Sequence, residues 1–328
     1  MEPLLIIFVA IALLFDFLNG FHDSANVVAT VIASRAMPPP VALTLTALTN
    51  FIGPFLFGVA VATTIGSEVI SEQAVTVPVA MAALISAIIW NLVTWWFGIP
   101  SSSSHALIGG FVGAAVAGYG VGVVEVEGLA KVLIALFLSP ILGLAFGWLI
   151  MALILLIGQG LSPGVNNLFS KAQWITATTL GLSHGTNDAQ KTMGIISMGL
   201  VAFGVIDQFY VPTWVIALSA SAIALGTALG GWRLIRTIGG GFYRIRPAHA
   251  FSSQLASSVV ILGAALLGGP VSTTQVISSS IVGAGSAERV NKVRWGVAGN
   301  IVTAWLLTIP TTGLLGALIF WLLSLINI

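Results

Sequence analysis

The chain has 328 residues, 57% of them hydrophobic and 6% charged, with a net charge of +1 and no cysteine. A soluble protein carries about a quarter charged residues to solvate its surface, so most of this chain's surface faces something other than water. The near-zero net charge gives no reason to expect a nucleic-acid partner, and the lack of cysteine excludes disulfides and thiolate metal sites.

In chain order, apolar segments of membrane-spanning length fall at about residues 4–32, 41–64, 78–97, 101–122 and 129–157. A second set follows at about 174–206, 212–236, 251–268, 271–285 and 293–323. The first follows Met1-Glu2-Pro3, which lacks the basic start of a cleavable signal, and is expected to be a membrane span. It holds Asn19, His22, Asp23 and Asn26 in mid-run, and the sixth segment holds His184, Asn187, Asp188 and Lys191. Segments 78–97 and 101–122 are joined only by Ile99-Pro100-Ser101-Ser102-Ser103-Ser104-His105. Segments 251–268 and 271–285 are joined by Gly269-Pro270-Val271-Ser272-Thr273-Thr274-Gln275. Both joins, 100–105 and 270–275, read as tips of re-entrant hairpins. Each half then crosses the membrane an odd number of times, whether the hairpin arms span fully or not, so the halves have opposite orientations.

Charge placement supports N-out, C-out topology. The inner loops then hold Arg35, Lys171, Arg233, Arg236, Arg244, Arg246, Arg289, Lys292 and Arg294. The outer loops hold Glu2, Glu68, Glu72, Glu125, Glu127 and Asp207, with Lys131 as their one base. Such a bias follows the positive-inside rule. Asp16, Asp23, Asp188 and Lys191 are left within the bilayer. The outer acids read as solvated loop charges.

The halves also match in sequence. Gly20-Phe-His-Asp23-Ser-Ala-Asn26 pairs with Gly185-Thr-Asn-Asp188-Ala-Gln-Lys191 at an offset of 165 residues (188 minus 23). Pro100-Ser-Ser-Ser-Ser-His105 pairs with Pro270-Val-Ser-Thr-Thr-Gln275 at 170 (270 minus 100), and Pro140 and Gly143 pair with Pro310 and Gly313 at the same offset. Thr64-Ile65-Gly66 pairs with Thr237-Ile238-Gly239. The expected fold is an all-α integral membrane protein of two inverted-topology repeats, with interrupted helices and a re-entrant helical hairpin in each. The repeats are expected at 1–160 and 174–328, with a short central linker at 161–173. Paired interruptions of this kind point to a transporter binding site.

Proline followed by Ser and Thr hydroxyls at the start of an apolar helix describes a helix N-terminus. In a membrane its free N–H groups need a partner, and an anion fits both the donors and the helix dipole. Ser101, Ser102, Ser103 and Ser104 from one tip, with Ser272, Thr273 and Thr274 from the other, would clamp a tetrahedral oxyanion; the competing reading is a polar linker. Asp23, Asp188 and Lys191 would together cost roughly 9 kcal/mol if lipid-facing and unpaired, so they face the bundle interior. A purely structural Asp188–Lys191 pair would not explain the recurrence of Asp23 in the other half. Carboxylates suit an anion site when the ligand keeps a proton, because a protonated phosphate oxygen donates a hydrogen bond that ionised sulfate cannot. The residual repulsion calls for a counter-charge from Lys191, a proton, sodium or a divalent metal. His22, His105 and His184 adjoin these motifs and are candidates either to carry a proton or only to donate hydrogen bonds. Asp16 has Gly181 as its counterpart and receives no role.

The two signatures closely resemble those of the PiT inorganic phosphate transporter family, and the resemblance covers nearly the whole chain. It implies phosphate symport, both termini outside, a scaffold portion supporting a substrate-carrying portion, and phosphate contacts from Asp23, Asp188 and both tips. Asn26, Asn187 and Lys191 join the expected substrate set, and Gln275 joins the coupling-ion candidates His22, Asp23, His105, His184 and Asp188. Sodium-coupled members have Ala-Asn-Asp where this chain has Phe21-His22-Asp23. The His form resembles the bacterial low-affinity branch, which implies proton coupling and phosphate taken with divalent metal in a cell inner membrane. Sodium coupling and sulfate remain alternatives. No cofactor, resident metal site or nucleic-acid partner is expected; the partners are inorganic phosphate, the lipid bilayer and, as a candidate assembly, a second copy of the chain.

Other classes fit less well. An intramembrane serine hydrolase would use one of Ser101–Ser104, but none of these serines sits in a Gly-x-Ser-x-Gly elbow, and a hydrolase has no need to duplicate the site. An ATP-driven pump would need a phosphate-binding Gly-x-x-x-x-Gly-Lys loop. A channel could use similar repeats and is separated by saturable, coupled uptake.

Overall fold

A computed structural model describes residues 3–159 and 164–326 and, among them, is built of helices with no extended strand. Met1, Glu2 and residues 161–163 of the expected linker lie outside the described residues, as does the side chain of Arg233. The first half comprises α1 (Pro3–Ala33), α2 (Pro39–Leu56), α3 (Ala60–Ser67), α4 (Val77–Phe97), α5 (Ser103–Tyr119) and α6 (Val126–Ile157). The second comprises α7 (Val165–Ala202), α8 (Thr213–Leu229), α9 (Trp232–Gly241), α10 (Pro247–Leu266), α11 (Thr273–Glu288) and α12 (Trp295–Leu325).

The same series of elements therefore occurs twice. Packing exchanges with it: α5 lies against α12 and α11 against α6, while α2 lies against α7 and α8 against α1. A Cβ added to Gly113 would sit 2.1 Å from the Gly313 carbonyl oxygen, and one on Gly283 would sit 2.1 Å from that of Leu144. Only glycine admits such backbone approach. Each half thus lends its hairpin to the long last helix of the other, as two repeats of opposite topology require.

Two sequence boundaries move. Residues 165–173, expected in the linker, are the first turns of α7, which runs unbroken for 38 residues. The expected spans 41–64 and 212–236 are each broken, at 57–59 between α2 and α3 and at Gly230-Gly231 between α8 and α9. The interruptions therefore lie beside the signatures, while α1 and α7, which carry them, are continuous helices.

Each hairpin turns by the same chemistry. α4 ends at Gly98 (φ 69°) and α10 just before Gly268 (φ 73°), a left-handed backbone that glycine adopts freely. Proline follows two residues later in both. Ser102 then caps α5 by accepting the His105 N–H at 3.1 Å, and Ser272 caps α11 by accepting the Gln275 N–H at 3.4 Å.

Burial is the reverse of a water-soluble protein's. Leu314 is 75% exposed on α12 while Lys191 is 0% exposed on α7. Six described helices, α1, α2, α4, α6, α10 and α12, are long and apolar enough to cross a membrane. Charge separates to opposite ends of the bundle. At one end Glu68 pairs with Lys131 at 2.9 Å; at the other Glu288 gathers Lys292 (2.6 Å) and Arg246 (3.7 Å).

Candidate functional site

The polar interior forms where α1 and α7 meet the two hairpin tips. Along α1, positions 16, 19, 23 and 26 fall on one helical face, and along α7 so do 184, 188, 191 and 192. All eight side chains are buried.

The second tip binds both signatures. Thr274 donates its hydroxyl to Asp23 Oδ1 (3.1 Å) and accepts from Asn26 Nδ2 (2.8 Å). Thr273 donates to Asp188 Oδ2 (2.9 Å). Lys191 Nζ pairs with Asp188 Oδ1 and also donates to the Val271 carbonyl at 3.0 Å. Asn187 donates to the Gly269 carbonyl at 3.2 Å. The first tip meets the second across the site, with the Ser104 hydroxyl donating to Val271 O at 2.9 Å. In the first turns of α5 and α11 the His105 and Gln275 N–H groups are taken by the caps, while those of Ser103, Ser104, Thr273 and Thr274 precede the first intrahelical bond.

The expected residues divide. Asp23, Asn26, Asn187, Asp188, Lys191, Thr273, Thr274 and Ser104 come together. Ser101 is held aside, its hydroxyl 2.8 Å from that of Thr94. Ser102 and Ser272 are the helix caps, and Ser103 is buried in the first turn of α5. His105 stays with its own tip, Nδ1 lying 2.7 Å from Ser102 Oγ, and Gln275 reaches its ring nitrogens only at 3.4 Å. His22 Nδ1 lies 2.9 Å from Asp23 Oδ1, and the residue lines a cavity shared with Phe17, Asn91 and Trp95.

His184 has the most constrained ring. Thr227 donates to the Ile223 carbonyl at 2.8 Å, so it accepts from Asn50 Nδ2 at 2.9 Å. Asn50 therefore turns its oxygen to His184 Nδ1, 3.2 Å away, which places the proton on Nδ1. Nε2 is left facing Asp188 Oδ2 at 3.2 Å. Lys191 supplies the charge beside the carboxylate, and the 3.2 Å gap leaves room for a proton shared between Nε2 and Oδ2. Donor atoms of Asp23, His184 and Asp188 all lie within 4.8 Å of one another, a spacing that suits a shared proton or a small cation. No metal site was expected from the sequence; this cluster gathers three of the coupling-ion candidates.

Sequence reasoning missed a second duty of the signatures. Gln190 accepts from the N–H groups of Val61 (2.8 Å) and Ala62 (3.3 Å) and donates to Gly58 O (2.7 Å), closing the break between α2 and α3. Ser24 accepts from the Gly231 N–H at 2.7 Å, closing the break between α8 and α9. The glycine that opens each signature is a close approach: a Cβ on Gly20 would lie 2.2 Å from Ile223 O, and one on Gly185 2.4 Å from Asn50 O. Gly58 and Gly230-Gly231 inside apolar runs were the available signals for these breaks.

Duplicated helix breaks, two tips from opposite halves and buried acids at their junction define a membrane transporter of the repeat-built type. More particularly, the chain belongs to the phosphate transporter family, whose model matches residues 19–159 and 158–316. This bears out the resemblance drawn from the two signatures. The chain is 44% identical to a Rhizobium meliloti protein named "Probable low-affinity inorganic phosphate transporter", over 99% of this chain and 98% of that one. It is 42% identical to a Bacillus subtilis protein of the same name, over 98% of each. A solved structure entitled "The sodium-dependent phosphate transporter" superposes with a TM-score of 0.89 over 99% of this chain and 100% of that one, at 23% identity, and shares the fold. These relatives are transporters rather than hydrolases.

Proposed function

We propose that this chain is a secondary active symporter of inorganic phosphate, held between the two hairpin tips and the Asp23–Asp188 pair. The observation that carries the reading is the convergence of both aspartates, Lys191 and both tips in one buried site. Oxyanion oxygens take the uncapped first-turn N–H groups, the hydroxyls of Ser104, Thr273 and Thr274, and Lys191 Nζ. A P–OH of hydrogenphosphate donates to a carboxylate oxygen, which sulfate cannot do. The names of the full-length relatives support phosphate as cargo.

The coupling ion in this reading is a proton. One proton shared between His184 Nε2 and Asp188 Oδ2 offsets carboxylate charge when phosphate enters and engages Lys191. His22, in contact with Asp23, is the second carrier. Divalent metal accompanies the cargo because a neutral metal–hydrogenphosphate unit crosses a low-dielectric path at lower cost than a bare anion. Both termini are extracytoplasmic, with the Arg246–Glu288–Lys292 end facing the cytoplasm. Uptake of labelled phosphate into proteoliposomes, with proton, sodium and magnesium gradients varied one at a time, tests this. Uptake is expected to follow the proton gradient, ignore sodium and rise with magnesium. A strict sodium requirement with no response to a protonophore would replace the proton by sodium.

A further inference from the structure

We propose that Asp16, with Asn19 and Thr192, forms a second cation site, separate from the phosphate site and occupied by one positive charge, a proton or a sodium ion. The sequence reading set Asp16 aside because the other half has glycine in its place. The structure gives it more weight. Asp16 is 0% exposed in the middle of α1, and neither carboxylate oxygen has a hydrogen-bond partner. Asn19, one turn on, is also 0% exposed with both amide atoms unpartnered. Thr192 of α7 faces the Asp16 carboxylate, and its hydroxyl is likewise buried without a closed hydrogen bond. Asp16 and Thr192 thus meet from two helices, with Asn19 one turn along the same face of α1, and all three are unsatisfied among the described residues.

A carboxylate in that position is far too costly to leave bare. The charged groups acting on it are Asp188 and Lys191 of α7, which already neutralise each other. α2, α4 and α8, which also pack on α1, carry no titratable side chain. α9, α10 and α11 meet α1 nearer its C-terminal end, at Ala29, Thr30 and Asn26. The compensating charge must therefore be bound. The available donors are all oxygens, two from Asp16, one from Asn19 and one from Thr192, the hard set that a proton or sodium accepts.

The site lies seven residues from Asp23, about 10 Å along the helix toward the N-terminal end of α1. Thr192 lies one turn beyond Asp188 in the same direction, since α1 and α7 run antiparallel past the tips. The stripe is thus continuous with the phosphate site, about one helical turn beyond Asp188 along α7. This deepens the symport reading by giving coupling a second binding place on one approach to the substrate.

The test leaves phosphate out, so its failure is distinct from failure of the transport reading. Purified protein and Asp16→Asn are melted in detergent in phosphate-free buffer, with sodium titrated against choline at fixed pH, and with pH stepped through neutrality without sodium. The parent is expected to gain about 5 °C at saturating cation in one arm, by linkage of binding to stability. Asp16→Asn is expected to lose that gain, and the arm in which it is lost identifies sodium or the proton. If Asp16→Asn is not recovered folded, Asp16→Glu and Thr192→Val are expected to shift the midpoint of the response at least about threefold. Parental behaviour of Asp16→Asn in both arms, or parental midpoints in both substitutes, would overturn the site.

Discussion

Replacing Asp188 separates a structural ion pair from a working one. Asp188 and Lys191 are both 0% exposed, and among the described residues Lys191 keeps only the Val271 carbonyl as a further partner. Asp188→Asn strands a buried ammonium, at a cost of about 3–5 kcal/mol. It also weakens the Thr273 contact and uncovers His184 Nε2. Removing both charges in Asp188→Asn/Lys191→Met eliminates the stranded charge, and such replacements are commonly neutral or stabilising by about 1–4 kcal/mol. Melting in detergent should therefore fall steeply for the single variant and return to or above the parent for the double. Phosphate uptake in proteoliposomes should be absent from both. A double variant that is stable and transports at near-parental rate would make the pair structural and remove Asp188 from the mechanism.

Other expectations follow from neighbouring contacts. Gly20→Ala and Gly185→Ala each push a methyl into a facing helix carbonyl and should lower stability by about 1–3 kcal/mol in detergent melts; unchanged melting would mean that these helix crossings relax freely. His184→Asn should flatten the rise of uptake with external acidity more than His22→Asn, because His184 faces the carboxylate with a bare nitrogen; an unaltered pH profile in His184→Asn would move the coupling proton elsewhere. Single cysteines placed between 242 and 246 in this cysteine-free chain should be shielded from impermeant reagents in sealed cells, and their labelling from outside would invert the topology.

Much of the site was legible because its chemistry is expensive in a membrane. Charged and amide residues inside apolar runs, and Pro-Ser-Thr joins between them, have few interpretations, and duplication removed most of the rest. The helix breaks were hidden because 41–64 and 212–236 are predominantly apolar at the breaks themselves; Gly58 and Gly230-Gly231 mark them, and the polar groups that close them, Gln190 and Ser24, come from distant segments. Residues 165–173 read as a linker from their polar content, yet they continue α7, where Gln173 bonds Ser34 at 2.7 Å and reaches Pro247 O at 3.3 Å. Duplication also set Asp16 aside. A repeat-based filter keeps only what occurs twice, and a cation site on one approach to the substrate has no reason to recur on the other.

Counterflow in proteoliposomes tests the central claim most directly. Vesicles loaded with unlabelled phosphate and diluted into trace labelled phosphate should accumulate label transiently. Vesicles loaded with sulfate should not, and Asp23→Asn should abolish the overshoot. Equal overshoot with sulfate inside would make the cargo a general oxyanion, and a slow rise without overshoot in the parent would contradict carrier-mediated phosphate transport.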